Sequence, residues 1–352
     1  MQKGDTTMIK IFFDGIEIDS DACSMIKNNY SLFTNKFFLG STASNQYSIS
    51  VAKNYIQSHP SEIILKDENI TLAVLSVDSV EEGDFLYTYR LSDKMTSLSF
   101  KYDASGLIES SASGFVTLLE ILNDICSKAN IILATTNFVN SDVQVSWYDN
   151  TKTAREYVGY IAEMMGGYAT IGTDGKLYLL KHKQSSMKTI NIDDCEDFKI
   201  KEYHQITRVV YDIGTLKYEF GNETGDTLYI NSENPFIVNE EEVENIYNEI
   251  KDFEYYCFKA INCPIDYNIR AGNIVTFSDG SNNYPTIAQY SVSFYGSWYG
   301  DYELNLNSET VQETQNVGIN EKIFSLKTEL NRNNAEMKII SQNTNSIMDN
   351  LN

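Results

Sequence analysis

Two acidic segments carry the residue types from which metal sites and glycosidase carboxylate pairs are built. They are NIDDCEDF, residues 191–198, and VNEEEVEN, residues 238–245. Paired carboxylates can bind a divalent cation or act as general acid and general base. The second segment also has the composition of a helix start, because Asn239 is a favourable N-cap and acids stabilise the positive end of the helix dipole. The first has the composition of a solvated turn, so the sequence favours structural roles for both.

Nucleophilic catalysis would need a cysteine or serine beside a histidine. The chain has three histidines, His59, His182 and His204. Its five cysteines are spread over the whole sequence without a C-x-x-C pair, and they are Cys23, Cys126, Cys195, Cys257 and Cys263. This distribution is typical of buried, reduced thiols in a protein made in the cytosol. A Cys257–Cys263 bridge and a Cys–His pair assembled by folding are the alternatives.

The short motifs that mark nucleotide, zinc and calcium sites are absent from the sequence. The Gly175-Lys176 pair continues with Leu177, where a phosphate-binding loop needs Ser or Thr. The sequence contains no G-x-G-x-x-G, H-E-x-x-H or EF-hand loop. YGSWYG, residues 295–300, lies between strand patterns and has the wrong spacing for a nucleophile elbow. The sequence therefore predicts no enzyme, no cofactor and no metal site.

An aromatic strip near the end of the chain is a candidate binding surface. It reads QYSVSFYGSWYGDY, residues 289–302, and includes Trp298. Such alternation is compatible with sugar stacking, with cross-strand pairing inside a sheet, or with a protein interface. The sequence favours the last two interpretations.

Composition and charge limit the classes of partner. The chain has 352 residues, 42% of them hydrophobic, with 24 Tyr and a net charge of −22. The many tyrosines and short β-branched runs indicate a globular protein rich in strands. A strongly acidic surface repels phosphate backbones and anionic membranes, so nucleic acid is not an expected ligand. The sequence has no apolar run long enough to span a bilayer, and its start lacks the pattern of a signal peptide.

Hydrophobic periodicity predicts the elements that would position these residues. We expect an α+β, mainly β fold with two β-barrel-like domains, an inserted small α+β domain and a C-terminal helix. The predicted parts are a first barrel at 8–100 completed by 190–230, an insert at 101–188, a second barrel at 189–310 with a helix near 240–251, and an exit helix at 311–352.

Local signals support this division. Asp14-Gly15 lies between two strand patterns and is typical of a hairpin turn. In the insert, Thr153 and Glu156 form the pattern of a capping box, and Gly166-Gly167 ends the helix that follows. Two strand patterns then flank Asp174-Gly175, which predicts a second hairpin.

The end of the chain has a heptad pattern held over about four heptads. The predicted seam for self-association consists of Ile323, Leu326, Leu330, Asn333, Met337, Ile340 and Ile347. Isoleucine at both kinds of core position favours trimers or higher oligomers, and a buried Asn helps to fix the register. The alternative is a single amphipathic helix packed on its own domain.

The order of these elements resembles the baseplate-hub fold of phage tails. Two passages carry the resemblance, Thr153–Leu180 and Asn268–Leu304, although neither is a tight signature. More narrowly, the chain is similar to the N-terminal part of the tail-associated hub protein of prophages and long-tailed phages of Gram-positive hosts, the prophage tail endopeptidase family. Where that family often has Gly-Asp, this chain has Gly272-Asn273.

This resemblance implies a homotrimer whose barrels alternate into a six-fold-like ring at the virion tail tip. Its implied partners are a distal tail protein ring, a tape-measure protein and a downstream receptor-binding or lytic segment. Phage DNA would pass through the ring without specific binding, and an acidic lumen would ease its transit. The protein would be made in the bacterial host cytoplasm, without membrane insertion.

The expected function is therefore that of a structural tail-tip protein. Two alternatives from other classes stay open on the sequence alone. One is a peptidoglycan hydrolase with its catalytic groups inside these residues. The other is a carbohydrate-binding or receptor-binding module that uses the aromatic strip around Trp298.

Overall fold

The structure is a computed structural model, and it describes residues 9–19, 22–33, 36–42, 44–146, 149–266, 268–294 and 299–306. The strands of the first part are β1 Ile9–Phe13, β2 Ile16–Ile18, β3 Cys23–Tyr30, β4 Gln46–Ala52, β5 Glu62–Asp67, β6 Ile70–Glu82, β7 Leu86–Ser92, β8 Val116–Thr117, β9 Gln144–Val145, β10 Gly167–Ile171 and β11 Leu177–Lys181. Those of the second part are β12 Lys188–Asn191, β13 Asp197–Asp212, β14 Lys217–Gly221, β15 Asp226–Tyr229, β16 Phe253–Pro264, β17 Ile274–Ser278, β18 Asn283–Ile287, β19 Tyr290–Phe294 and β20 Tyr299–Leu304. The α-helices are α1 Ser105–Ser110, α2 Leu118–Lys128, α3 Ala154–Met164 and α4 Glu240–Ile250.

One large sheet runs through both halves of the described chain. Its strand order is β14-β13-β16-β20-β19-β3-β4-β7-β6-β5-β1-β2, and β15 adds to β13 in parallel. The pairing of β19 with β3, which sets Tyr290 opposite Tyr30, joins the C-terminal strands to the N-terminal ones. A mainly β, α+β fold is thus confirmed. In the described residues most strands of the two predicted barrels form one open sheet, whose end strands β14 and β2 do not pair with each other, and β12, β17 and β18 form a separate three-stranded sheet.

Helices and hairpins of the predicted insert are confirmed as elements. Helix α2 begins with a capping box of Thr117 and Glu120, and helix α3 begins with the predicted box of Thr153 and Glu156. The predicted hairpin is β10 paired antiparallel with β11. Buried side chains of the insert belong to the same hydrophobic cluster as those of the large sheet. The domain boundaries themselves stay a prediction.

Helix α4 confirms the structural interpretation of the second acidic segment. Asn239 accepts a hydrogen bond from the backbone N–H of Glu241, and the Glu242 carboxylate accepts one from the backbone N–H of Asn239. The apolar face of the helix, with Val243 and Ile246 fully buried, packs against β13 and β14. The acids are therefore helix-capping and helix-dipole residues.

A close backbone crossing connects the insert to the first strands. Gly40 adopts φ +76°, and a Cβ built there would lie 2.5 Å from the carbonyl oxygen of Gly159 in α3. Next to the crossing, Gly40 N–H donates to the Gly167 carbonyl at 2.8 Å, and Ala169 N–H donates to the Ser41 carbonyl at 2.9 Å. Only a residue without a side chain fits such an approach. The crossing therefore fixes how the insert lies on the sheet.

Candidate functional site

The predicted self-association seam lies outside the described residues. The positions concerned are Ile323, Leu326, Leu330, Asn333, Met337, Ile340 and Ile347. Trp298 of the aromatic strip lies outside them as well. Both interpretations stay predictions from the sequence.

The fold assembles a histidine, an aspartate and a cysteine that are distant in sequence. His204 lies on β13, and its Nδ1 is 2.8 Å from the Asp226 carboxylate of β15. The ring of His204 stacks on Tyr255 of β16 with ring centroids 4.9 Å apart. Cys257 lies two residues further along β16 and interacts with the same imidazole. The fold therefore brings a cysteine and a histidine together, as one alternative interpretation of the sequence required.

The group contains a part-buried ion pair, because the His204 side chain is buried and that of Asp226 is partly exposed. Burial alone would lower the pKa of His204, but the hydrogen bond with Asp226 and the interaction with Cys257 raise it to about 10. A histidine that stays protonated at neutral pH cannot accept a proton as a general base. Cys257 is 1% exposed, and its thiol faces the Leu306 carbonyl at 3.9 Å. In this arrangement the sulfur has no open path to a substrate carbonyl.

The other two histidines differ in their surroundings. His182 is fully buried among the rings of Phe33, Phe37, Tyr168 and Phe253, and burial lowers its pKa to about 3. It is therefore a neutral core residue at physiological pH. His59 is exposed, and its Nδ1 lies 3.1 Å from the hydroxyl of Tyr89. Neither histidine lies beside a cysteine in the described structure.

The first acidic segment forms a turn with a disulfide at its end. Residues Ile192–Asp194 make a 3-10 turn, which Asn191 caps by accepting a hydrogen bond from the backbone N–H of Asp193. Over the described residues, no group of three or more His, Cys, Asp or Glu side chains is arranged to hold a metal ion. The turn that the sequence favoured for this segment is confirmed.

The expectation of reduced thiols is wrong for two of the five cysteines. Cys195 forms a disulfide with Cys263, with Cα atoms 4.3 Å apart, so the alternative of a Cys257–Cys263 bridge is also wrong. The cause is the antiparallel pairing of β13 with β16, which sets Asp197 opposite Ile261 and so brings the two cysteines together. Cys23, Cys126 and Cys257 are free.

Residues at both ends of the aromatic strip belong to the core of the large sheet. Tyr290 and Tyr302 are 4% and 0% exposed, and their ring centroids lie 5.3 Å apart across β19 and β20. Gln289 accepts backbone N–H bonds from Leu32 and Phe33 at 2.8 Å and 2.5 Å. The interpretation of cross-strand pairing is confirmed for these residues, which leaves them no surface for a sugar.

Three tyrosines outside the strip lie beside one another on β13, β16 and β18, and sequence reasoning missed this group. Tyr203 of β13 and Tyr256 of β16 are cross-strand neighbours, and Tyr284 of β18 lies beside them. We call Tyr203, Tyr256 and Tyr284 the tyrosine shelf. The available signal was weak, because it depends on the register of two strands that are far apart in the chain.

Comparisons with known proteins show where this fold occurs. The prophage MuSo2 43 kDa tail protein from Shewanella oneidensis is 13% identical with a TM-score of 0.51, over 84% of this chain and 96% of that one. A tail protein from Neisseria meningitidis MC58 is 9% identical with a TM-score of 0.54, over 85% and 96%. Prophage tail protein gp18 from Listeria monocytogenes EGD-e is 12% identical with a TM-score of 0.51, over 85% and 95%. No family model and no curated protein sequence matches.

The likeness covers most of each chain, so it concerns the overall fold and not one shared motif. At these identities it shows that this chain has the fold of prophage tail proteins. Within the described residues, no helix has the length and apolar composition that crossing a bilayer requires.

Proposed function

We propose that this chain is a structural protein of a phage or prophage tail and that it forms the hub at the tail tip. The observation that carries the proposal is the fold shared with three prophage or bacterial tail proteins over 84–85% of this chain. The hub resemblance itself depended on the order along the sequence of a β-rich part, the α+β insert, a second β-rich part and the heptad segment. The finer position at the tip is part of the proposal.

The hub would contain three copies of the chain. The heptad spacing of residues 323–347 supports this number, because isoleucine at both kinds of core position favours trimers. The large sheet ends in the strands β14 and β2, whose outer edges are open in the described structure. Open edges are surfaces on which neighbouring chains can dock. A closed three-fold ring would use the same contacts in every copy.

The partners follow from this position. The ring would bind a distal tail protein ring on one side and a receptor-binding or lytic segment on the other, with a tape-measure protein ending inside it. Phage DNA would cross the ring during ejection. The net charge of −22 supports this role if the acids line the channel, because a negative wall does not retain phosphate backbones.

A structural role agrees with the state of the chemical groups in the fold. Cys257, which interacts with His204, is buried, and the imidazole of His204 is held in its protonated form. The two acidic segments are a helix start and a turn. In this fold these groups stabilise the structure, whereas a hydrolase would expose its catalytic groups to the substrate.

Immunogold electron microscopy tests the proposed position. Antibodies raised against the purified chain would be applied to particles of the phage or induced prophage that encodes it. We expect gold at the end of the tail away from the capsid. Particles in which the gene is deleted are the control for antibody specificity. Label along the tube or on the capsid, or its absence from particles that contain the chain on a denaturing gel, would contradict a tail-tip hub.

A further inference from the structure

The tyrosine shelf is a partly exposed cluster of three aromatic rings, two of them tilted toward each other and the third perpendicular to one of these. The rings of Tyr203 and Tyr256 lie 5.1 Å apart, centroid to centroid, at an angle of 53°. Tyr284 stands at 90° to Tyr256 with a centroid distance of 5.4 Å. Tyr203 is 45% exposed, and Tyr256 and Tyr284 are half-buried. The corner between the rings is therefore open to solvent.

Two carboxylates hold the hydroxyl groups of this shelf. The Tyr203 hydroxyl interacts with Glu254, and the Glu254 carboxylate accepts a hydrogen bond from the Gln205 amide at 3.2 Å. The Tyr284 hydroxyl donates to Asp279 Oδ2 at 3.3 Å. A phenol that donates to a carboxylate gains electron density in its ring, and the face of an aromatic ring already attracts cations. Both features favour a positively charged ligand.

The chain places its own cations over other aromatic rings. Among the described residues these pairs are Lys53 over Tyr87, Lys66 over Phe12, Lys128 over Tyr102, Lys152 over Tyr160, Lys251 over Tyr247 and Arg270 over Tyr178. In the same part of the chain, no Lys or Arg lies over a ring of the shelf. The shelf therefore has the aromatic rings and carboxylates that favour a cation, and within the described residues no Lys or Arg of the chain occupies it.

We propose that the tyrosine shelf binds an arginine side chain of a basic partner protein. A planar guanidinium can stack on the rings of Tyr203 and Tyr256 while its N–H groups donate to Glu254. Arginine is also less strongly hydrated than lysine, so it loses less when it leaves water. The net charge of −22 adds a general attraction for a basic partner. This binding goes beyond the proposed tail-tip role and does not depend on it.

The test uses the full chain labelled with fluorotyrosine and observed by ¹⁹F NMR. The Tyr203 resonance is assigned with the variant Tyr203→Phe. The probes are the peptide acetyl-Gly-Arg-Gly-amide and its counterpart with citrulline, which has nearly the same shape as arginine but no charge. We expect the arginine peptide to shift the Tyr203 resonance in a saturable way and the citrulline peptide to leave it unchanged.

Two variants separate the shelf from the general acidity of the chain. Glu254→Gln keeps the size of the side chain, and we expect it to weaken binding about 2- to 5-fold. Tyr203→Leu should abolish the peptide-induced shift at Tyr256. Tyr229→Leu is the matched control, because Tyr229 is 44% exposed on β15 and lies outside the shelf. It should leave binding unchanged.

Several results would overturn the proposal. Equal shifts with the citrulline peptide, or no shift with either peptide, would show that the shelf does not recognise arginine. Equal affinity for a lysine peptide would assign the binding to charge alone. Light scattering could also show a lower mass for Tyr203→Leu than for the wild type. The shelf would then be a contact between copies of this chain and not a site for a basic partner protein.

Discussion

The side-chain amide of Asn234 donates a hydrogen bond of 2.8 Å to the buried carboxylate of Glu163. The other oxygen of that carboxylate accepts the backbone N–H of Asn231 at 2.8 Å. Asn234 is held in this orientation, because its amide also donates to the Tyr160 carbonyl and its oxygen accepts the backbone N–H of Phe236. The contact therefore connects helix α3 of the insert to the segment between β15 and α4.

Asn234→Ala should lower the free energy of unfolding by about 3 kcal/mol, because it leaves several buried groups unpaired at once. Urea denaturation followed by circular dichroism measures this change. Asn54→Ala, at an exposed position in a 3-10 turn, is the control and should change stability by less than about 0.5 kcal/mol. Equal stability of the two variants would show that the Asn234 bonds do not stabilise the fold.

Glu163→Gln should change how stability depends on pH. Burial raises the pKa of Glu163 to about 8, against the hydrogen bonds from Asn231 and Asn234 that lower it. The folded protein thus binds this proton more tightly than the unfolded chain, whose carboxyl has the ordinary value of 4.5. The stability that Glu163 contributes is therefore complete below about pH 4.5 and is lost as the pH rises through about 8.

Urea midpoints measured from pH 5 to pH 8 check this sign. The wild type should lose up to about 1.4 kcal/mol per pH unit more than Glu163→Gln across this window. Glu109→Gln removes a carboxylate at an exposed site and should keep the wild-type slope. Parallel slopes for the wild type and Glu163→Gln would contradict a buried proton-binding carboxyl.

Gly159→Ala should destabilise the protein although alanine favours helices. The new Cβ would lie 2.9 Å from the Gly40 carbonyl oxygen, so the backbone crossing between insert and sheet must open. We expect a loss of about 2 kcal/mol or more. Gly106→Ala, in helix α1 with nothing within 4 Å of the new Cβ, is the matched control and should be neutral or stabilising. Thermal denaturation of both variants decides between these outcomes, and similar melting temperatures would contradict the tight crossing.

Thiol titration of the unfolded, unreduced protein tests the disulfide. We expect three reactive thiols, from Cys23, Cys126 and Cys257, among the five cysteines. Cys195→Ser should raise the count to four and lower stability by about 2–4 kcal/mol. Cys23→Ser lowers the count to two and serves as the control. Five reactive thiols in the wild type would contradict the disulfide and agree with the reduced cysteines that the sequence predicted.

Local elements of this fold were predictable from the sequence. The Asp14-Gly15 turn has the two positive φ angles that the hairpin needs, 46° and 84°. The predicted capping box at Thr153 and the predicted N-cap at Asn239 each depend on residues no more than three positions apart. Such signals lie within one turn of chain, so hydrogen bonding and conformational preference decide them before any tertiary contact forms.

The contacts that assemble the molecule were not predictable. Cys195 and Cys263 are separated by 68 positions, and Glu163 and Asn234 by 71. The His204–Asp226 pair depends on the register of a parallel strand with a bulge. Pairing of distant strands follows from the packing of whole faces, which periodicity in one segment does not specify. The same reason explains why most strands of the two expected barrels belong to one open sheet in the described residues.

The mass of the chain in solution tests the central claim of a three-copy ring most directly. Light scattering on a sizing column would compare the full chain, a version ending at Leu306, and the variants Ile340→Lys and Ile339→Lys. Ile340 belongs to the heptad seam, whereas its neighbour Ile339 lies outside it. A trimer of the 40.0 kDa chain has a mass of about 120 kDa.

We expect a mass of about 120 kDa for the full chain and for Ile339→Lys, and a lower mass for Ile340→Lys and for the shortened version. A mass near 40.0 kDa for all four proteins, over a wide concentration range, would contradict self-association through the seam.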